Sequence, residues 1–164
     1  VPILPFRVVL DTNILVRGLI NRRCDSGRIL LACEERRVVA LLSRELIAEY
    51  RLVLTEQKLV ERYPELQPAK IKTAIERLMY IGEIVATHQV RFDFARDRKD
   101  EKLIILAIAG QATHLVTTDN DLLELPSSRG DAATRLRRRR RNLEVMTPEQ
   151  FVLLFGPELR IERV

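Results

Sequence analysis

The sequence predicts an α/β layer fold around a mainly parallel sheet. Three observations carry this reading. Short, apolar, β-branched runs of strand length alternate with longer stretches of helical periodicity. Those runs are apolar at successive positions instead of every second one, as in strands buried on both faces. One helix-length stretch, EKLIILAIAGQ, is apolar nearly all round, as a helix covered by other elements must be.

RVVL, residues 7–10, is the first strand candidate. SGRILLACEERR follows with Ile29, Leu30 and Cys33 at helical spacing and Ser26 as a candidate N-cap. The second strand candidate is Val38 to Leu42. It ends at Ser43, which can cap the helix RELIAEYRLVL, whose Leu46, Ile47, Tyr50, Val53 and Leu54 share a face with Glu49 at its edge. QKLVERYPELQP carries two prolines and reads as a connection. AKIKTAIERLMYI is again helical in period, EIVAT is a third strand candidate, and RFDFARDRKD is a polar loop. The buried helix from Glu101 stops near Gly110, and THLVTTD is the fourth strand candidate. The order is β-α-β-α-α-β-α-β. PSSRGDAATRLRRRRRN, 126–142, is expected to be a long basic loop or disordered insertion. LEVMTPEQFVLLF closes the chain with a short strand and a helix capped by Thr147, with Pro148 at its first position.

The 164 residues suit a single domain over 1–164. Apolar residues at 46% and charged residues at 31% are those of a soluble globular protein. Cys24 and Cys33 form no CxxC, and neither has a histidine partner nearby. They read as reduced thiols, which suits a cytoplasmic protein. His88 and His114 join no ligand cluster, which argues against a zinc site; His114, before an apolar run, reads as a packed histidine. No run of 18 apolar residues exists, so no membrane span is expected, and VPILPFR lacks the pattern of a signal peptide. The net charge of +5 is concentrated: from Arg135 to Arg141, arginine fills six of seven positions. Such a run binds polyanions electrostatically, so Arg135, Arg137, Arg138, Arg139, Arg140 and Arg141 are candidate nucleic-acid contacts. Its alternative is a solvated charge run with no defined role.

Four acids occupy related positions. Asp11 ends the first strand, Glu49 lies on the helix after the second, Asp100 opens the buried helix, and Asp119 ends the fourth strand. In an open parallel sheet, ligand chemistry gathers at the carboxyl ends of the strands. Four carboxylates meeting there repel one another unless a hard cation holds them. Carboxylates without histidine or cysteine suit Mg²⁺ or Mn²⁺. Such ions activate water for in-line attack on phosphate, leaving a 3′-hydroxyl and a 5′-phosphate; no side chain in the set is a nucleophile. Each acid alone also has a structural reading: Asp11 and Asp100 as helix caps, Glu49 as a solvated helix-face acid, Asp119 and Asp121 as turn acids. The case rests on the set and its order.

At these residues the chain resembles PIN-domain ribonucleases, specifically the bacterial toxins of toxin–antitoxin pairs. VVLDTNILV is similar to that family's first motif, LLSRELIAEYRLVL to its second, DRKDEKLIILAIAGQATHLVTTDNDLLEL to its third and fourth, and MTPEQFVLLF to the group's ending. The resemblance implies a three-layer α/β/α sandwich, Mg²⁺ or Mn²⁺, an RNA substrate cleaved at a phosphodiester, a homodimer and a cognate antitoxin. It implies Asp11, Glu49, Asp100 and Asp119 as catalytic metal ligands, Asn13 in a supporting shell, Thr117 as the small hydroxyl residue before the last acid, and Asp121 as an accessory. Asp97 and Glu101 lie so close to Asp100 that either could share its role. The stretch 126–142 is longer and more basic than the group usually shows.

Three other readings compete. A haloacid-dehalogenase-type phosphatase needs a second acid two residues after the first, where this chain has Asn13. A DNA nuclease of the flap type needs helical elements that this chain lacks. A non-catalytic RNA-binding scaffold would keep the fold and use the acids only as caps.

Overall fold

The computed structural model describes residues 5–155. Its strands and helices are β1 (Phe6–Leu10), α1 (Thr12–Ile20), α2 (Asp25–Glu34), β2 (Val38–Leu42), α3 (Arg44–Leu54), α4 (Gln57–Arg62), α5 (Pro68–Ile81), β3 (Glu83–Ile84), α6 (Glu101–Ala109), β4 (His114–Val116), α7 (Asn120–Glu124), α8 (Asp131–Arg139), β5 (Glu144–Met146) and α9 (Pro148–Phe155). The strands form one five-stranded sheet in the order β3-β2-β1-β4-β5, with every pair parallel. Val8, Val9 and Leu10 of β1 are buried because the strand is central and covered on both faces.

Topology follows from handedness. From β1 the chain moves outward through α1 and α2 to β2, then through α3, α4 and α5 to β3. It then returns across the sheet through α6 to β4, on the other side of β1. Right-handed crossovers in opposite directions put their helices on opposite faces. So α2 and α5 cover one face while α6, apolar nearly all round, covers the other, against β1, β2 and β4. This is the expected three-layer α/β/α arrangement. It leaves a crevice between the carboxyl ends of β1 and β4, where the strand order reverses.

Several local expectations hold. Ser43 Oγ accepts from the Leu46 N–H at 3.2 Å and caps α3. Thr147 caps α9 reciprocally with Gln150, at 3.2 and 3.0 Å. Gly110 ends α6. Others do not hold. Ser26 lies inside α2, whose N-cap is Cys24. The run TNILVRGLI, which the strand-helix order leaves out, is α1, with Ile14, Leu15 and Val16 buried. Its Gly18 is there for packing: a Cβ would stand 2.5 Å from Leu30 Cδ1, so α2 can approach only a bare backbone. The two-proline connection contains α4. The third strand candidate shortens to two residues.

The stretch 126–142 is not a structureless loop. Leu125–Ser127 makes a 3-10 turn, and α8 buries Ala133 and Leu136. Its arginines hold backbone carbonyls of neighbouring segments: Arg135 that of Asp93 at 2.9 Å, Arg137 those of Pro126 and Ser128 at 2.8 and 3.1 Å, Arg139 that of Arg91 at 2.8 Å, and Arg140 that of Ala112 at 2.6 Å. A solvated, disordered charge run would make no such contacts.

At the amino ends of the strands, the Arg7 guanidinium forks onto Glu83 at 2.7 and 3.0 Å and onto the Gly110 carbonyl at 3.0 and 2.8 Å. Thr113 Oγ1 accepts from the Arg7 N–H and donates to the Arg7 carbonyl, each at 3.0 Å. Beside them the rings of Phe6, His114, Phe151 and Phe155 pack edge and tilt against one another. His114 is the packed histidine expected. Burial pushes its pKa down.

Candidate metal centre

The parallel register sets Leu10 beside Val116, and the Asp11 N–H bonds the Val116 carbonyl at 3.0 Å. Asp11 thereby leaves β1 directly opposite Thr117. The buried Thr117 hydroxyl donates to Asp11 Oδ2 at 2.7 Å and accepts from the Asp119 N–H at 3.0 Å. One hydroxyl thus ties the first acid to the backbone of the last. Beneath Asp11, the buried Tyr50 hydroxyl donates to the Leu10 carbonyl at 2.5 Å and pins the end of β1.

Asp100 ends a 3-10 turn, Arg98–Asp100, at the head of α6. It is 9% exposed, it makes no capping hydrogen bond, and its Oδ2 is buried without a partner. Asp97 opens the same turn and accepts from the Lys99 N–H at 2.9 Å. Asp119 caps α7 by accepting from the Asp121 N–H at 2.8 Å. One oxygen each of Asp97, Asp100 and Asp119 lies within 4.8 Å of the others.

These neighbours make the cluster electrostatically costly. Burial, then the charges of Asp11, Asp119 and Asp97, push the Asp100 pKa up to about 7. Asp11 is also raised, by burial first; the Thr117 hydrogen bond opposes the shift, and the charges of Glu49 and Asp119 add to it. A partly buried group of all-oxygen donors carrying several like charges, with one oxygen left unpartnered, fits a hard divalent cation; within the chain itself only a proton on Asp100 and the Lys102 charge offset that repulsion.

The structure treats the expected site residues unequally. Asp11, Asp100 and Asp119 converge, and their charges act on one another. Of the neighbours of Asp100, Asp97 lies with Asp100 and Asp119. Glu101 is engaged elsewhere, its carboxylate accepting from the Phe94 N–H at 3.0 Å. Glu49 faces the cluster closely enough to act on Asp11, but its carboxylate pairs with Lys102 at 3.1 Å. Asp121 is held by Arg96 at 2.6 Å. Asn13 is exposed on the first turn of α1 and is not hydrogen-bonded to any of the acids. The cap reading fails for the side chains of Asp11 and Asp100, while Asp119, expected as a turn acid, caps α7.

Two neighbours had no functional reading in the sequence. Lys102 spans Glu49 and the Lys99 carbonyl, the latter at 2.7 Å; a lysine on the first turn of an otherwise apolar helix was the available signal. Tyr50 read only as part of a core face.

The fold and site together define an α/β/α protein with a cluster of carboxylates, able to hold a metal ion, at the switch point of its sheet. The family model described as PIN domain matches residues 7–121, a span holding every acid named above, and the chain belongs to that family. PIN domains are generally metal-dependent nucleases. The chain is also 29% identical over 148 residues, 89% of each chain, to an uncharacterized protein of Methanocaldococcus jannaschii, MJ1680. No solved structure matches it. Among the described residues no helix is long and apolar enough to cross a membrane.

Proposed function

We propose that this protein is a metal-dependent endoribonuclease that hydrolyses RNA phosphodiesters. The observation that carries the reading is the convergence of Asp97, Asp100 and Asp119 at the switch point, with the Asp11 charge acting on Asp100 and one buried Asp100 oxygen unpartnered. Asp97, Asp100 and Asp119 would hold Mg²⁺ or Mn²⁺, with Asp11 alongside. When bound, the ion supplies Lewis acidity toward a phosphoryl oxygen and lowers the pKa of water. The protein's own groups prepare the place. Thr117 orients the Asp11 carboxylate and fixes the backbone at Asp119. The Lys102–Glu49 pair screens the inner wall without adding net charge. No serine, cysteine or histidine stands among the acids, which supports direct hydrolysis over a covalent intermediate.

The role of toxin in a toxin–antitoxin pair, a cognate antitoxin partner and a homodimer are further parts of this proposal. They rest on the resemblance of the sequence motifs to the bacterial toxin group.

The test is incubation of the pure protein with a pool of structured and single-stranded RNA in Mn²⁺, Mg²⁺ or EDTA, for wild type and Asp11→Asn. Cleavage that needs metal and disappears in the variant supports the nuclease. RNA binding without cleavage in any metal, together with no Mn²⁺ uptake by calorimetry, overturns it in favour of the non-catalytic scaffold.

A further inference from the structure

We infer that the seam between residues 91–96 and α8 is a track for single-stranded RNA leading away from the metal centre. The inference rests on the nuclease reading above. Two cavities lie along this seam. The first, about 440 Å³, begins at Asp121 and Arg96 and runs past Phe94, Leu125 and Ala132 to Arg135. The second, about 270 Å³, continues from Arg135 between Phe92, Arg91, Arg138 and Arg139. They share Asp93 and Arg135, so they form one path. Its inner end is close to the metal centre, because the Asp121 N–H bonds the carboxylate of Asp119.

The chemistry along the path suits a single strand. The first cavity has apolar walls, which suit the faces of bases, and a duplex hides those faces. The cations that match phosphates lie along the second cavity, where Arg91, Arg135, Arg138 and Arg139 stand; in the first, Arg96 pairs with Asp121 and Glu124, and Asp93 and Asp131 add carboxylates, so the apolar walls and not charge would hold the strand there. The arginines divide by duty. Arg135 stacks over Phe92 with its guanidinium 5.2 Å from the ring centre and bonds the Asp93 carbonyl, while Arg139 bonds the Arg91 carbonyl. These two brace the segment that leads to Asp97 and Asp100. Arg91 and Arg138 are exposed and, among the described residues, neither side chain pairs with a carboxylate or bonds a carbonyl. Their charge is free for a polyanion. Arg137 and Arg140 spend their donors on carbonyls of Pro126, Ser128 and Ala112 and line neither cavity. The nucleic-acid surface is therefore only part of the arginine run, extended by Arg91 from outside it.

The experiment measures binding of a short fluorescein-labelled single-stranded RNA to the full chain by anisotropy, in EDTA, across a salt series. The double variant Arg91→Glu/Arg138→Glu should bind at least about tenfold more weakly, and the slope of log affinity against log salt should fall by about 0.7 for each phosphate no longer neutralised. Lys58→Glu/Lys70→Glu makes the same charge change on α4 and α5 and should bind as wild type. Ala132→Leu, which narrows the first cavity, should weaken RNA binding but not competition by inorganic polyphosphate. Equal loss in both charge-reversal variants, or wild-type affinity in the Arg91/Arg138 variant, overturns the track. Parallel Mn²⁺ titrations separate the two proposals. Intact Mn²⁺ uptake and cleavage with no effect of the arginines overturns the track alone. Failure of wild type to take up Mn²⁺ overturns the nuclease reading.

Discussion

The two ends of the sheet are built on opposite principles. At the amino end, polar groups are matched: Arg7 meets Glu83 and the Gly110 carbonyl, Thr113 exchanges two hydrogen bonds with Arg7, and the rings of Phe6 and Phe151 pack against His114. At the carboxyl end, Asp97, Asp100 and Asp119 crowd together beside Asp11, burial and their charges push Asp100 up to about 7, and one of its oxygens has no partner. The same strands, β1 and β4, run through both. One end supplies stability, and the other uses some of it to hold like charges together. A site that is locally frustrated inside a locally consistent fold is where function is expected.

The largest effect should come from weakening the matched end. Phe151→Ala removes a fully buried ring and should cost about 3–5 kcal/mol by urea denaturation, with cleavage per folded molecule unchanged at low temperature. A loss below about 1 kcal/mol would deny the amino end its supporting role. Next is the crowded end. Asp100→Asn should reduce Mn²⁺-dependent cleavage by at least about 100-fold while leaving the metal-free melting temperature equal or higher. A lower melting temperature would mean that Asp100 is a structural residue after all.

Acidity sharpens the contrast further. Folding raises the Asp100 pKa from 3.8 to about 7, so over that interval the folded state binds more protons than the unfolded one. Metal-free stability should therefore fall as pH rises from about 4 to 7, and Asp100→Asn should flatten that limb of the melting profile. Asp11, also raised, adds a change of the same sign. A limb that persists unchanged in Asp100→Asn assigns the titration to another group. The smallest effect belongs to Glu83→Gln, measured by the same melts. Its partner Arg7 keeps the Gly110 carbonyl, and Glu83 is half exposed, so the expected loss is about 0–1 kcal/mol.

What could be read from the sequence was whatever is decided locally. β2, Ser43 and α3 follow from a β-branched run, a capping hydroxyl and a helical stripe lying next to one another, and they fell where expected. Asp11, Asp100 and Asp119 were legible because each stands at the edge of an apolar run. α1 was not, because its apolar residues are adjacent instead of spaced, and Gly18 lowers helix propensity for the sake of Leu30, a residue on another helix. α8 was not, because the carbonyls that its arginines hold belong to residues 91, 93, 112, 126 and 128, and composition alone cannot show them. Asp97 could be separated from Glu101 only by geometry, since the Phe94 N–H that occupies Glu101 leaves no mark in the sequence.

The hydrogen bond between Thr117 and Asp11 joins residues 106 apart in the chain. Its consequence lies in time as well as in space. During synthesis the first acid emerges long before the strand that completes its surroundings. β1 must wait for β4, a non-local closure of the kind that slows folding. A chain halted before residue 117 has Asp11 but none of the hydroxyl, backbone or carboxylate that Thr117 and Asp119 bring to it. The centre is thus assembled late and all at once, and the completeness of the fold is the condition for its chemistry.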